Sequence, residues 1–249
     1  MDIDLYADLK SPIHAWDPRW KIAAFVCFIL AAAAADSGIT LMIAFGVSAG
    51  LTLLARLPVG FVLKSLRYPV FFILLMLPIL ILTAGGDASW QLGPLTLYRS
   101  GAYTAAEIGM RGITVMLAFL VMFSTARIHV TMQALQAMRL PASLVQIFLF
   151  TYRYIFLYLD DLRRLRNAAR LRGFGLTKGL RRIQNSASLI VVLLIRSLEQ
   201  SDRVAAAMRL RGFDGTFRSD RTFITTSGDV KKAVALACLS LGILILEIV

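Results

Sequence analysis

The chain has 249 residues and a formal net charge of +12, with 58% hydrophobic and 17% charged residues. Soluble domains carry about 25% charged residues, so this composition indicates a membrane protein and excludes a disordered chain or a fibrous repeat. Cys27 and Cys238 lie in separate apolar runs, and His14 and His129 are the only histidines. We therefore expect neither a disulfide nor a metal site built from histidine.

Five runs without charged residues mark candidate membrane spans, because a helix that crosses the hydrocarbon needs roughly 20 mostly apolar residues. The runs are residues 22–35, 37–55, 68–86, 112–126 and 233–246. Asp17 and Pro18 are predicted to start the first helix, as its N-cap and its first helical residue. The turn signal Asp36-Ser37-Gly38 makes the first two spans a helical hairpin. The predicted fold is an all-α membrane protein with about five transmembrane helices and a region of long cytoplasmic helices.

The positive charge is concentrated in one segment. Residues 127–232 hold 19 Lys and Arg against 7 Asp and Glu, whereas the rest of the chain has 8 of each. Cytoplasmic loops carry the excess of Lys and Arg, and the predicted external loop 87–103 has only Arg99. We therefore expect the N-terminus and residues 127–232 in the cytoplasm and the C-terminus outside. Apolar runs interrupt this basic segment, which argues against nucleic-acid binding.

Three regions follow from this topology. Residues 1–126 form an N-terminal membrane bundle of about four helices, residues 127–232 form a basic cytoplasmic or interfacial region, and residues 233–249 form a last transmembrane helix. The apolar runs 140–159 and 183–195 allow two further crossings. We favour partly embedded helices, because Arg153 and Arg196 interrupt these runs and the basic stretch between them would otherwise be translocated.

The basic segment contains an internal repeat, in which Arg-Leu-Arg-Gly-Phe at 170–174 recurs at 209–213. Each copy ends a stretch with helical character, and its glycine stands where a left-handed C-cap belongs. Arg172 continues an apolar stripe of residues 162, 165 and 169, and Arg211 continues the stripe 201, 204 and 208. Arg170 and Arg209 lie off these stripes. A cation near a helix C-terminus is worth about 0.3–1 kcal/mol without any partner. Two identical copies instead favour insertion of each arginine into a partner's groove, where a carboxylate receives it.

These motifs resemble a known family. Ser-Pro-Ile-His-Ala-Trp-Asp-Pro-Arg-Trp-Lys at 11–21 is similar to the SPxHxxDPRxK motif of the transmembrane T component of energy-coupling factor transporters, a branch of the ABC importers. The repeats ending in Arg172-Gly173 and Arg211-Gly212 resemble the paired Ala-Arg-Gly signature of that family, at the tips of its two coupling helices. Leu171 and Leu210 stand where the family usually has alanine. The likeness covers nearly the whole chain.

The resemblance implies a non-catalytic coupling subunit in a bacterial cytoplasmic membrane. Arg172, Gly173, Arg211 and Gly212 would couple to two cytoplasmic ABC ATPase subunits, and the coupling helices would pass motion to a membrane subunit that binds substrate. The cargo would be a transition metal ion or a vitamin, and Thr-Tyr-Arg-Tyr at 151–154 with the Arg-Gly-Phe form of both signatures favours cobalt or nickel. ATP and Mg²⁺ would bind to the partners. In agreement, the sequence contains no GxxxxGK[ST] phosphate loop.

Two other classes of protein remain as alternatives. A membrane enzyme acting on phospholipid or polyprenyl phosphate needs a base or metal ligands, and Asp160-Asp161 do not face the same way on a helix. A stand-alone secondary transporter is expected to show repeated halves with broken helices, which the sequence lacks. Glu107 and Arg111 are spaced to neutralise each other within the bundle, and a role on a substrate path is the alternative for this pair.

Overall fold

The computed structural model describes residue 9 and residues 11–83, 88–92, 95–173, 179–213 and 225–248. Eight helices lie within these residues, which confirms the predicted all-α membrane fold. They are α1 Pro18–Ala34, α2 Gly38–Leu54, α3 Val59–Thr83, α4 Arg99–Ser124, α5 Ile128–Ala137, α6 Ala142–Leu171, α7 Leu180–Leu210 and α8 Ser227–Ile248.

A two-stranded hairpin lies in the segment that the sequence analysis treats as an external loop. Strand β1, Ala88–Leu92, pairs antiparallel with β2, Leu95–Tyr98, and the register is irregular between Ala88 and Trp90. Both strands alternate apolar and polar residues on either side of a Gly-Pro pair, a pattern typical of a strand–turn–strand unit. The hairpin is a short addition to an otherwise helical chain.

The chain divides into two compact units. Unit 1 comprises Met1–Ala134 and Thr222–Val249, and unit 2 comprises Leu135–Arg221. In unit 1, α4 packs against α1, α2 and α3, and α8 packs against α1. The core of unit 1 includes side chains with no exposed surface, among them Phe25, Phe28, Leu41 and Val121.

The starts of α1 and α2 follow the sequence signals. Asp17 is the N-cap of α1, where its side chain accepts a hydrogen bond from the backbone nitrogen of Arg19, and Pro18 is the first helical residue. Ser37 is the N-cap of α2 and accepts from the backbone nitrogen of Thr40. Because the side-chain oxygen satisfies a backbone donor that has no partner within the helix, both predicted helix starts are confirmed.

Helix lengths support an integral membrane protein. Among the described residues, three helical stretches are long and apolar enough to cross a bilayer: Val59–Ile79, Tyr103–Ser124 and Ala142–Leu171. The helix Gly38–Leu54 is apolar but shorter. α3 begins well before the predicted span at residue 68 and continues through Pro69 and Pro78.

Unit 2 consists mainly of two long helices, α6 with 30 residues and α7 with 31. Among its described residues only Val145 and Ala169 are buried. Many of its large apolar side chains are exposed, such as Ile183 and Leu198, each at 67%. The two helices therefore present far more apolar surface than they bury.

Candidate functional site

The two repeated motifs form nearly identical helix ends. α6 ends with Arg172 as C-cap and Gly173 at φ +79°, and α7 ends with Arg211 as C-cap and Gly212 at φ +80°. The backbone nitrogens of the two glycines donate to the carbonyl oxygens of residues 170 and 209, at 3.1 and 3.0 Å. A positive φ is the conformation in which glycine avoids the penalty of a Cβ atom. The predicted left-handed glycine caps are confirmed.

The side chains next to each glycine are exposed. Leu171 is 91% exposed and Leu210 is 90% exposed, and Arg172 and Arg211 are exposed as well. Among the described residues, neither guanidinium has a side-chain hydrogen bond or an ion pair. Each helix tip thus presents one large apolar side chain and one cation, and neither cation is paired within the described part of the chain.

The stripes that lead to the two arginines are partly used inside unit 2. Ala169 is buried, and Leu165, Val204 and Met208 are half-buried, whereas Ser201 is exposed. The apolar face behind each arginine is therefore already covered in part by unit 2 itself. At the C-terminal end of each stripe, the arginine itself is exposed.

An apolar groove runs between α6 and α7 within unit 2, with a volume of about 710 Å³. Phe150, Tyr154 and Tyr158 line it from α6 at four-residue spacing, and Val204 and Met208 line it from α7. The sequence analysis missed this groove. The spacing of the three aromatic residues, which puts them on one helix face, is the signal that could have indicated it.

Aspartate 17 is the centre of a polar cluster at the start of α1. Its Oδ2 accepts hydrogen bonds from Arg19 Nη2 at 3.1 Å and from Thr225 Oγ1 at 2.9 Å. Burial raises the pKa of this carboxyl, but the hydrogen bonds from Arg19 and Thr225 and the charge of Arg19 outweigh it and hold the pKa below its usual value. The carboxylate is therefore ionised at neutral pH and held by donors from two parts of the chain.

Lysine 21 is fully enclosed in unit 1, with 1% of its surface exposed. Its Nζ donates to the carbonyl oxygen and to the Oγ1 of Thr125, each at 3.1 Å. Thr125 directly follows the last residue of α4, where backbone carbonyls lack partners within the helix and the helix dipole favours a cation. A lysine at the start of a membrane helix usually extends its charged end toward water, but the structure shows Lys21 buried because α4 supplies these acceptors.

The predicted pair of Glu107 and Arg111 does not form. Arg111 Nη2 instead donates to Asp36 Oδ1, in the turn between α1 and α2. Among the described residues no ion pair joins Glu107 to Arg111. The contact between Arg111 and Asp36 links α4 to the first helical hairpin. The spacing of residues on one helix could not predict it, because the two residues are 75 positions apart in the sequence.

The acidic residues of this chain do not form a site of the kind that a membrane enzyme would need. Asp160 Oδ1 accepts from Arg163 Nη1 at 3.0 Å, one helical turn along α6, and both side chains are exposed. Among the described residues, no group of three or more His, Cys, Asp or Glu side chains could hold a metal ion.

Comparisons with known proteins agree on one family. Residues 9–222 match the family CbiQ, described as cobalt transport protein. The energy-coupling factor transporter transmembrane protein EcfT of Acidaminococcus fermentans is 27% identical over 246 residues, which cover 95% of this chain and 92% of the relative. The proteins of the same name from Staphylococcus aureus and Bacillus subtilis are 28% and 25% identical, over 87% and 86% of this chain and 85% of each relative.

Proposed function

This chain belongs to the CbiQ family, and we propose that it couples two cytoplasmic ATPase subunits to a membrane subunit that binds the substrate of an energy-coupling factor importer. The family and the EcfT relatives make it the transmembrane T component of such a transporter. It is an integral membrane protein and one subunit of a larger complex. The proposal concerns what each part of the chain does within that complex.

The observation that carries the proposal is the pair of matched helix tips. Arg172-Gly173 and Arg211-Gly212 close two long helices in the same backbone conformation, and each tip exposes a leucine beside the arginine. A leucine can enter an apolar groove while the planar guanidinium binds a carboxylate at its rim with two hydrogen bonds. Two tips fit two copies of such a groove, one on each ATPase subunit.

We assign the binding and hydrolysis of ATP to the partner subunits. The chain contains no GxxxxGK[ST] loop, which is the element that cradles phosphate in such ATPases. ATP and Mg²⁺ therefore bind to the ATPase subunits, and this subunit acts without catalysis. The arginines bind protein carboxylates rather than nucleotide.

The cargo is a transition metal ion, cobalt or nickel, or a vitamin, and it is selected by the separate membrane subunit. The description of the matched family as cobalt transport protein and the Arg-Gly-Phe form of both tips favour the metal. Uptake of radioactive Co²⁺ and Ni²⁺ by cells that express the whole complex, compared with uptake of a panel of vitamins, tests the cargo. Vitamin uptake without metal uptake would assign the chain to the other branch.

The orientation follows from the positive-inside count. The N-terminus and the helix tips of unit 2 lie on the cytoplasmic side, with the apolar stretches of α6 and α7 partly embedded in the membrane. The C-terminus and the turn between α1 and α2 lie outside. Single cysteines at Leu210 and at Gly38, in a background where Cys27 and Cys238 are serine, should react with a membrane-impermeant reagent from opposite sides. Labelling from the same side would contradict this topology.

The central test is assembly. The chain is purified together with its ATPase and substrate-binding subunits, and the ratio of ATPase subunits to this chain is measured with the rate of ATP hydrolysis. We expect two ATPase subunits for each T component and loss of both when the two tip arginines are replaced by alanine. Full retention in the double variant would remove the coupling role from Arg172 and Arg211.

A further inference from the structure

The N-terminal motif at residues 11–21 contacts two segments of unit 1, one before unit 2 in the sequence and one after it. Lys21 binds Thr125, ten residues before unit 2 begins at Leu135. Asp17 and Arg19 bind Thr225, four residues after unit 2 ends at Arg221. One short segment therefore contacts both the chain that leads into unit 2 and the chain that leads out of it.

The contact on the chain that follows unit 2 joins three side chains to one another. Thr225 Oγ1 donates to Asp17 Oδ2 at 2.9 Å and accepts from Arg19 Nη2 at 2.9 Å, while Arg19 Nη2 also donates to Asp17 Oδ2 at 3.1 Å. The Asp17 side chain is only 2% exposed. Hydrogen bonds to an ionised, shielded acceptor are stronger than neutral ones, so this contact holds Thr225 in a defined position.

Neighbouring residues add further hydrogen bonds to the segment that follows unit 2. Trp16 Nε1 donates to the carbonyl oxygen of Asp229 at 3.1 Å, in the first turn of α8, and Lys232 Nζ donates to the carbonyl oxygen of Pro12 at 3.3 Å. The start of α8 is thus tied to the N-terminal segment by backbone as well as side-chain groups. The lysine on the incoming side has a matching role, since Lys21 is buried and binds two oxygens of Thr125.

We propose that Trp16, Asp17, Arg19 and Lys21 form a clamp that fixes Thr125, before unit 2 in the chain, and Thr225, after it, to the start of α1. Motion of α6 and α7 that reaches these two threonines is then passed to α1 and the membrane bundle. The inference rests on the proposed coupling role of unit 2. It assigns to the clamp residues a positioning role, separate from the docking role of the two arginine tips.

The test uses an isosteric pair of variants at Thr225. Thr225→Val removes the hydroxyl that joins Asp17 to Arg19 and keeps the side-chain shape, whereas Thr225→Ser keeps the hydroxyl. Lys21→Met breaks the contact on the incoming side. Nitroxide labels are placed at Cys27 on α1 and at Arg203→Cys on α7, both exposed, in a Cys238→Ser background. The distance distribution between the labels is measured in the whole complex in nanodiscs, with and without ATP and vanadate.

In the wild type and in Thr225→Ser we expect a single narrow distribution that shifts as a whole with nucleotide. In Thr225→Val and Lys21→Met a second, broad component should appear, because each variant loses two hydrogen bonds that involve a charged group, and loss of even one raises the released population roughly tenfold. The ATPase subunits should stay bound in all four proteins, since the arginine tips are unchanged. Unchanged helical circular dichroism identifies the variants that fold.

Narrow distributions with a normal shift in both Thr225→Val and Lys21→Met would overturn the clamp. Loss of the ATPase subunits from these variants would also overturn it, because the residues would then be needed for assembly. Failure of the wild-type chain to bind ATPase subunits would contradict the proposed function instead. The clamp is then still tested with the chain alone in nanodiscs, where the broad component should distinguish Thr225→Val from Thr225→Ser.

Discussion

Units 1 and 2 are both built from helices, but the helices of unit 1 are more apolar, and the two units bury their side chains to different extents. Unit 1 encloses Phe25 and Phe28 completely and gives even Lys21, a cation inside the bundle, two hydrogen-bond acceptors. In unit 2 only two of the described residues are buried, and Leu171 and Leu210 are almost fully exposed. Large exposed apolar patches mark interaction surfaces, and both units have exposed apolar side chains, such as Leu53 at 76% in unit 1. The difference is that unit 1 also has an enclosed core, whereas the described residues of unit 2 enclose almost none.

The charge distribution supports the same contrast. The arginines of unit 1 that bear on its packing, Arg19 and Arg111, bind carboxylates within the unit. At the tips of unit 2, Arg172 and Arg211 keep their guanidinium groups exposed at the end of a helix. An exposed cation costs little free energy when it stays unpaired in water. It contributes to the free energy of binding only when a partner removes the water around it.

The largest effect should come from the tips of unit 2. Arg172→Ala and Arg211→Ala should each weaken binding of the ATPase subunits by about 2–5 kcal/mol, because each removes one partner of a desolvated charge pair. That loss corresponds to roughly 30-fold or more in affinity, and the double variant should lose nearly the sum, since distant sites act independently. Bound ATPase subunits and ATP hydrolysis in the purified complex provide the measurement.

The matched controls are Arg170→Ala and Arg209→Ala, which lie off the stripes and should lose only about 1 kcal/mol of attraction to anionic lipid per charge. If Arg170→Ala and Arg172→Ala weaken binding of the ATPase subunits equally, the two arginines do not differ in the side of the helix that they use.

The next largest effect should be the loss of stability when an apolar side chain is truncated, and it should differ between the two units. Phe25→Ala in unit 1 should lower the free energy of unfolding by about 3 kcal/mol, because the enclosed site leaves a cavity. Leu198→Ala, on the exposed face of α7, should change it by no more than about 0.5 kcal/mol. Thermal unfolding of the chain alone in detergent measures both. A large loss from Leu198→Ala would mean that unit 2 has a core of its own.

The glycine caps should show a smaller, purely backbone effect. Gly173→Ala and Gly212→Ala should each cost about 1–2 kcal/mol, since both residues have positive φ. A Cβ atom at either position would meet nothing within 4 Å, so crowding adds nothing. Gly46→Ala, inside α2 and equally open, should instead stabilise the helix by up to about 1 kcal/mol. Hydrogen exchange in the last turns of α6 and α7 reports the effect, and protection equal to that of the wild type would contradict it.

The smallest effect should be the pH dependence of unit 1. Because the folded state holds the pKa of Asp17 below the usual 3.8, its contribution to stability is complete above pH 3.8 and is lost as the pH falls through the lowered value. Unfolding temperatures measured from pH 7 down to pH 3 should decline at the acid end. The decline should be smaller in Asp17→Asn, which has no carboxyl to protonate, and an identical decline would assign the acid sensitivity to other groups.

The sequence was sufficient where structure is set by neighbours along the chain. The start of α1 at Asp17 and Pro18, the turn before α2 and the glycine ends of both repeats all depend on contacts within a few residues. Composition and charge-free runs were enough to predict a helical membrane protein. These features follow from local backbone sterics and from the length that a bilayer demands.

Contacts across the fold could not be predicted in the same way. Arg111 binds Asp36 rather than its helical neighbour Glu107, and Lys21 binds Thr125, 104 residues away, rather than extending to the membrane surface. In each case packing between helices decides which acceptor is within reach. The docking role that we propose for the exposed tips involves surfaces outside this chain, and in the sequence only the repetition of the motif points to it.

The position of unit 2 in the chain has a consequence for folding. Unit 1 is interrupted after Ala134 and resumes at Thr222, so the contact of α8 with α1 joins two parts of the bundle that lie on either side of unit 2 in the sequence. Because a chain is synthesised from its N-terminus, α8 can complete the bundle only after the whole of unit 2 has been made.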